Sequence, residues 1–119
     1  RRLQEGLGPE SPYWEAHGYY EEASAFHSHA HRLGGESLHA VDQLIESLVP
    51  LLAGVAPEVA RAATMAEWWA HHRRRDQWHG HPLHYDTHEQ LLRETRGGCV
   101  QHPAVSAVVY LSDDSPRFG

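Results

Sequence analysis

From Ser37 onward the apolar residues fall into register. Leu38, Val41, Leu44, Ile45, Leu48, Leu51 and Leu52 recur at spacings of three and four, and Asp42, Gln43, Glu46 and Ser47 fill the other side. That period predicts an amphipathic helix over roughly residues 37–53, kinked or broken near Pro50 and ended by Gly54. Its apolar stripe predicts a helix laid against a sheet. Residues 57–63 predict a further short helical turn. Upstream the pattern is weaker. Residues 1–12 combine Gly, Pro and charge without periodicity and read as a loop. Residues 13–32 mix aromatic, acidic and histidine side chains, with Gly18 disfavouring a helix through them.

Downstream the period shortens. Residues 65–73 (MAEWWAHHR) suit a strand, 73–80 a polar turn, and 82–88 a second strand. Residues 90–96 predict a helical turn or loop closed by Gly97 and Gly98. Residues 104–113 (AVSAVVYLSD) are β-branched, bounded by Pro103 and by an Asp-Asp-Ser-Pro turn, and form the strongest strand signal in the chain. Val105, Ala107, Val109 and Leu111 share one face, and Ser106, Val108, Tyr110 and Ser112 the other. One oily face and one mixed face suit a sheet whose inner side lines a polar cavity.

Composition narrows the function classes. The 119 residues carry 10 basic and 16 acidic side chains, a formal charge of −6, which argues against a nucleic-acid binder that must displace counterions. No apolar run is long enough to span a membrane, and the single cysteine, Cys99, cannot form an internal disulfide. Every basic residue is arginine, and asparagine is absent; GC-rich codon usage accounts for both. It does not account for the 12 histidines, the residue that most often ligates metals and that titrates near neutral pH.

The chemistry converges on His84-Tyr85-Asp86. Residues two apart on a strand point to the same side, so an imidazole nitrogen and a carboxylate oxygen meet. They would supply two of the three ligands of the two-histidine, one-carboxylate triad of non-haem Fe(II) oxygenases, which leaves metal positions open for substrates. Twelve histidines make a chance match common, so the surrounding sequence carries the argument. The stretch HPLHYDTHE (81–89) is followed by a Gly-containing loop and then by HPAVSAVVYLSD (102–113), with Trp68-Trp69 upstream. Over residues 63–119 the chain resembles the 2-oxoglutarate and Fe(II)-dependent dioxygenases of the prolyl-4-hydroxylase-like group.

The resemblance implies an α+β fold, a partial double-stranded β-helix (jelly roll) with N-terminal helices packed on the sheet. It divides the chain into a poorly defined segment, 1–35, and the N-terminal part of an oxygenase domain, 36–119. It implies Fe(II) held by His84 and Asp86, and 2-oxoglutarate as a cosubstrate converted to succinate and CO2. His81 would stand near the cosubstrate, and Ser106 and Tyr110 would line the same cavity. The family's second histidine ligand and its cosubstrate-binding basic residue fall after the Y-L-S-D strand. The expectation is therefore a segment of a longer protein, inactive by itself. Substrate, localisation and oligomeric state are not encoded in this stretch.

The alternative is a non-catalytic, histidine-rich module that binds metal or responds to pH, centred on His27, His29 and His31. On a strand all three would point one way; on a helix His27 and His31 would stand four apart on one face. A third reading is a jelly roll used only for binding. His88, two residues beyond Asp86, would sit about 13 Å along the strand from His84, too far to share its ion; it is expected in a supporting role or on the surface. Tyr13, Trp14, Trp68 and Trp69 are expected as packing aromatics, and Cys99, with no base beside it, as an ordinary residue.

Overall fold

The computed structural model describes residues 2–17, 28–72 and 83–111. The expectations placed on His27, on His81 and on the polar turn over 73–80 lie outside them. In chain order the elements are α1 (Arg2–Leu7), α2 (Pro12–Ala16), β1 (His29–Arg32), α3 (Ala40–Val55), α4 (Pro57–Ala62), β2 (Met65–Trp68) and α5 (Glu89–Glu94). No helix among the described residues is long and apolar enough to cross a membrane.

Residues 1–12, expected as a loop, contain α1, and α2 begins at their end. Leu3 and Leu7 stand four apart on α1 and are part-buried. Pro12 at the first position of α2 and the Ser11 hydroxyl, which accepts from the Tyr13 N–H at 3.2 Å, start the second helix. Its product is Trp14, the one fully buried large side chain among the described residues. The Trp14 indole N–H donates to the Gly8 carbonyl at 2.7 Å, so the ring is buried without stranding its polar atom.

Strands β1 and β2 pair antiparallel, with His29 opposite Trp68, Ala30 opposite Glu67, His31 opposite Ala66 and Arg32 opposite Met65. Alternation gives the ribbon two distinct faces. His29, His31, Ala66 and Trp68 look toward α2 and α3; Ala30, Arg32, Met65 and Glu67 form the opposite face, where Glu67 meets α5. The chain leaves β1 through a turn in which the Gly35 N–H donates to the Arg32 carbonyl, and Gly34 takes φ +70°. Only glycine enters that region without strain.

Helix α3 runs unbroken through Pro50 to Val55. The expected break does not occur, although Pro50 takes from the helix the hydrogen bond that residue 50 would donate to the Glu46 carbonyl and crowds that carbonyl with its ring. Nor does Gly54 end it. Pro57 biases the preceding Ala56 into extended backbone (φ −141°, ψ 73°), which stops α3 and lets Pro57 open α4.

The outer ends of the expected apolar stripe, Leu38 and Leu51, are exposed, whereas Asp42 on the expected polar side is buried. The helix is turned so that Asp42 and Glu46 face His31 of the ribbon.

The strands expected over 82–88 and 104–113 are not strands among the described residues. Positions 84–88 and 105–111 form no ladder, and Val108 and Tyr110 are largely exposed. A β-branched sequence fits a pleated surface but does not make one; a strand requires a paired neighbour. The expected strand over 65–73 is realised only at Met65–Trp68, because its partner β1 is four residues long. The described chain thus combines short helices with a two-stranded antiparallel sheet. Its N-terminal helices contact one face of that sheet.

Candidate functional site

His84 and Asp86 lie on an extended stretch between the ribbon and α5. Glu67 of β2 anchors the far end of that stretch. Its carboxylate accepts the backbone N–H groups of Glu89 at 2.9 Å and Gln90 at 3.0 Å, and the Ser28 hydroxyl at 2.6 Å. A carboxylate here satisfies two of the otherwise unpaired amides of the α5 N-terminus. His88 completes the cap, its Nδ1 accepting from the Leu91 N–H at 3.0 Å. A nitrogen that accepts an N–H carries no proton of its own, so the 3.8 Å approach of the same atom to Glu67 Oε2 is not an ion pair. His88 is a capping residue, in keeping with its expected supporting role.

The other side of the stretch rests on residues 101–102. The His88 N–H donates to the Gln101 carbonyl at 2.8 Å, and the His102 Nδ1–H donates to the Asp86 carbonyl at 2.8 Å. The His102 ring meets Tyr85 edge-on, with centroids 5.7 Å apart. These contacts hold the backbone from the Asp86 carbonyl to Gln90, and before Asp86 the Tyr85 ring rests on His102. Sequence reasoning missed Glu67 and His102 because both act on backbone atoms of residues far away in sequence, which leaves no local spacing to read.

On this support the His84 Nε2 and Asp86 Oδ1 stand 3.7 Å apart. Both side chains reach solvent, His84 more than Asp86. Donors bound to one divalent ion at about 2.0–2.2 Å lie about 3 Å apart at a right angle and at most about 4.2 Å apart. At 3.7 Å the pair stands wider than the right angle of a facial triad sets, so the two side chains would close together to share an ion. No group of three metal-binding side chains occurs among the described residues. Ser106 and Tyr110, expected to line the same cavity, lie exposed on the unpaired 105–111 stretch. Cys99 is exposed.

The other histidines of interest are engaged separately. His31 is 6% exposed, with Glu46 Oε1 at 2.8 Å from Nε2 and Asp42 Oδ1 at 3.4 Å from Nδ1. Glu46 also accepts the Gly34 N–H at 2.8 Å, and Asp42 accepts the His39 N–H at 3.0 Å. The Glu46 carboxyl is held below the usual glutamate range, first by the hydrogen bond from His31 and then by that from Gly34. His29, on the same face, stacks on Trp68 with centroids 4.5 Å apart and meets the Tyr13 hydroxyl at 3.2 Å. Burial pushes the Tyr13 phenol above its ordinary pKa. His29 and His31 share a face as expected, but each is committed to a different set of neighbours.

No family model, curated protein or solved structure matches the chain.

Proposed function

We propose that this chain carries part of an Fe(II)- and 2-oxoglutarate-dependent oxygenase site, with His84 and Asp86 as two of three iron ligands. The observation that carries the reading is the 3.7 Å approach of an imidazole nitrogen and a carboxylate oxygen on one supported stretch. A nitrogen and a carboxylate together form a donor set suited to a non-haem Fe(II) ion. When bound, the iron would supply the oxidising chemistry, with 2-oxoglutarate as cosubstrate. The chain's own part is to hold the two ligands at a fixed separation, through Glu67 and His88 on one side and His102 on the other. The net charge of −6 favours a substrate other than nucleic acid. The reading requires a third ligand, which the described residues do not supply.

Mn(II) serves as a paramagnetic stand-in for Fe(II). Titrated into the 119-residue chain, it is expected to broaden the NMR signals of His84, Tyr85 and Asp86 first. The effect disappears in His84→Ala and in Asp86→Ala and persists in His29→Ala. Broadening centred on His29 and His31 instead would remove the assignment. In a longer form of the protein, succinate release from 2-oxoglutarate is expected to be lost in His84→Ala.

A second reading, the pH-responsive module without catalysis, draws on His31. As an imidazolium it donates to Asp42 and Glu46 together; as a neutral ring it donates to one of them only. Under that reading Mn(II) leaves His84 unbroadened.

A further inference from the structure

A cleft of about 480 Å³ opens between α1, α2, the β1–β2 ribbon and the start of α3. It contains neither His84 nor Asp86, and nothing said of the iron ligands bears on it. Its walls are flat rings. Tyr13 stacks on His17 with centroids 4.2 Å apart, and His29 stacks on Trp68 at 4.5 Å. The two stacks meet where the Tyr13 hydroxyl reaches His29 Nε2 and where the His17 and His29 rings sit edge-on at 5.6 Å. Aliphatic side chains of α1 and α3 complete the lining. His17 is fixed in orientation as well, because its Nδ1–H donates to the Tyr13 carbonyl at 2.7 Å.

The charge of the lining is the informative feature. The chain has 16 acidic residues against 10 basic ones, yet among the described residues no Asp or Glu lines this cleft. Arg2 supplies a permanent cation, and the His17, His29 and His39 rings bring no negative charge. Among the described lining residues a cationic ligand would meet Arg2 and no counter-charge. An anion meets complementary groups, and a carboxylate matches the guanidinium fork in particular. Ring walls favour a ligand with a flat π-face over a branched aliphatic one. The volume lies within the range of about 300–1,000 Å³ usual for small-molecule sites.

We infer that the cleft binds a planar aromatic carboxylate. The flat body of the ligand lies against the Tyr13–His17 and His29–Trp68 stacks, and its carboxylate is turned toward Arg2.

Benzoate and indole-3-carboxylate are the probes, with benzamide and benzylammonium as the neutral and cationic controls of the same shape. Titrated into the 119-residue chain, the two acids are expected to shift the NMR signals of the Trp68 indole and of the Tyr13, His17 and His29 rings. Benzamide is expected to bind about tenfold more weakly, and benzylammonium more weakly still. Arg2→Gln, on an exposed side chain, is expected to weaken benzoate about tenfold while leaving benzamide unchanged. Trp68→Leu is expected to weaken acid and amide alike. If that variant unfolds, the acid-to-amide ratio and Arg2→Gln still decide the matter. Equal affinity for acid and amide, shifts centred away from these rings, or no binding by either acid at about 10 mM would each overturn the proposal.

Discussion

A histidine buried to 6% exposure with a carboxylate against each ring nitrogen is a commitment made by single atoms. His31 ties β1 to α3, and the partners it uses are Asp42 and Glu46, one turn apart on the helix. Removing the ring leaves the buried Asp42 carboxylate with the His39 N–H alone. His31→Ala is therefore expected to lower stability by about 2 kcal/mol, read by urea unfolding at pH 6. Glu46 gives this cluster its acid limit. Its carboxyl titrates lower in the folded chain than the ordinary value of 4.5, through His31 and Gly34, with Asp42 opposing as a like charge. A carboxyl depressed on folding contributes stability that is present above its unfolded value. The contribution is lost as the pH falls from there through the folded value. Glu46→Gln is expected to flatten the decline of stability below pH 4.5, with little change in slope between pH 6 and 8; an unchanged acid limb would contradict this. At this scale the sequence was partly readable. His29 and His31 share a strand face, as alternate spacing requires, but nothing near them in sequence announced that carboxylates 11 and 15 residues beyond His31 would meet one ring.

Among the elements, α3 was the most readable and also the most instructive. Its existence follows from a strong three-and-four period. Its rotation does not, because the cluster with His31 draws Asp42 inward and leaves Leu51 in solvent. Helix α5 has the opposite character. It is six residues long, too short to persist by propensity alone. It depends on Glu67, which lies 22 residues before Glu89 and accepts two of its first amides from a neighbouring strand. Glu67→Ala is expected to destabilise that helix end by about 1 kcal/mol. Hydrogen exchange should report it as faster exchange at Glu89 and Gln90, while the amides of α3 keep their protection. Equal loss of protection in α3 would assign Glu67 to global stability instead. The same residue shows why the iron-ligand stretch has a defined shape without lying in a strand. The expected strand at 82–88 was inferred from residue type, but its described part is held by a helix cap on one side and by Gln101 and His102 on the other.

Across the whole molecule, single side-chain contacts from α2, α3 and α5 reach the two faces of a ribbon of two four-residue strands, and Trp14 is the one fully buried large side chain among the described residues. The ribbon separates the two candidate sites by face. His29 and Trp68 look into the aromatic cleft, and Glu67 looks toward α5 and the stretch bearing His84 and Asp86. Sequence alone determined the local facts: a helix over roughly 37–53, found at 40–55, the short helical turn that Pro57 begins, the alternate spacing of His29 and His31, and the pairing in sequence of His84 with Asp86. These follow from spacing and from residue chemistry, which act over a few residues. Only the tertiary structure decided which residues are buried, which segments of β-branched sequence find a partner, and where the carboxylates go. Burial, pairing and charge placement are set by groups far apart in the chain, and Asp42, Glu46, Glu67 and His102 gain their roles only when folding brings their partners within hydrogen-bond reach.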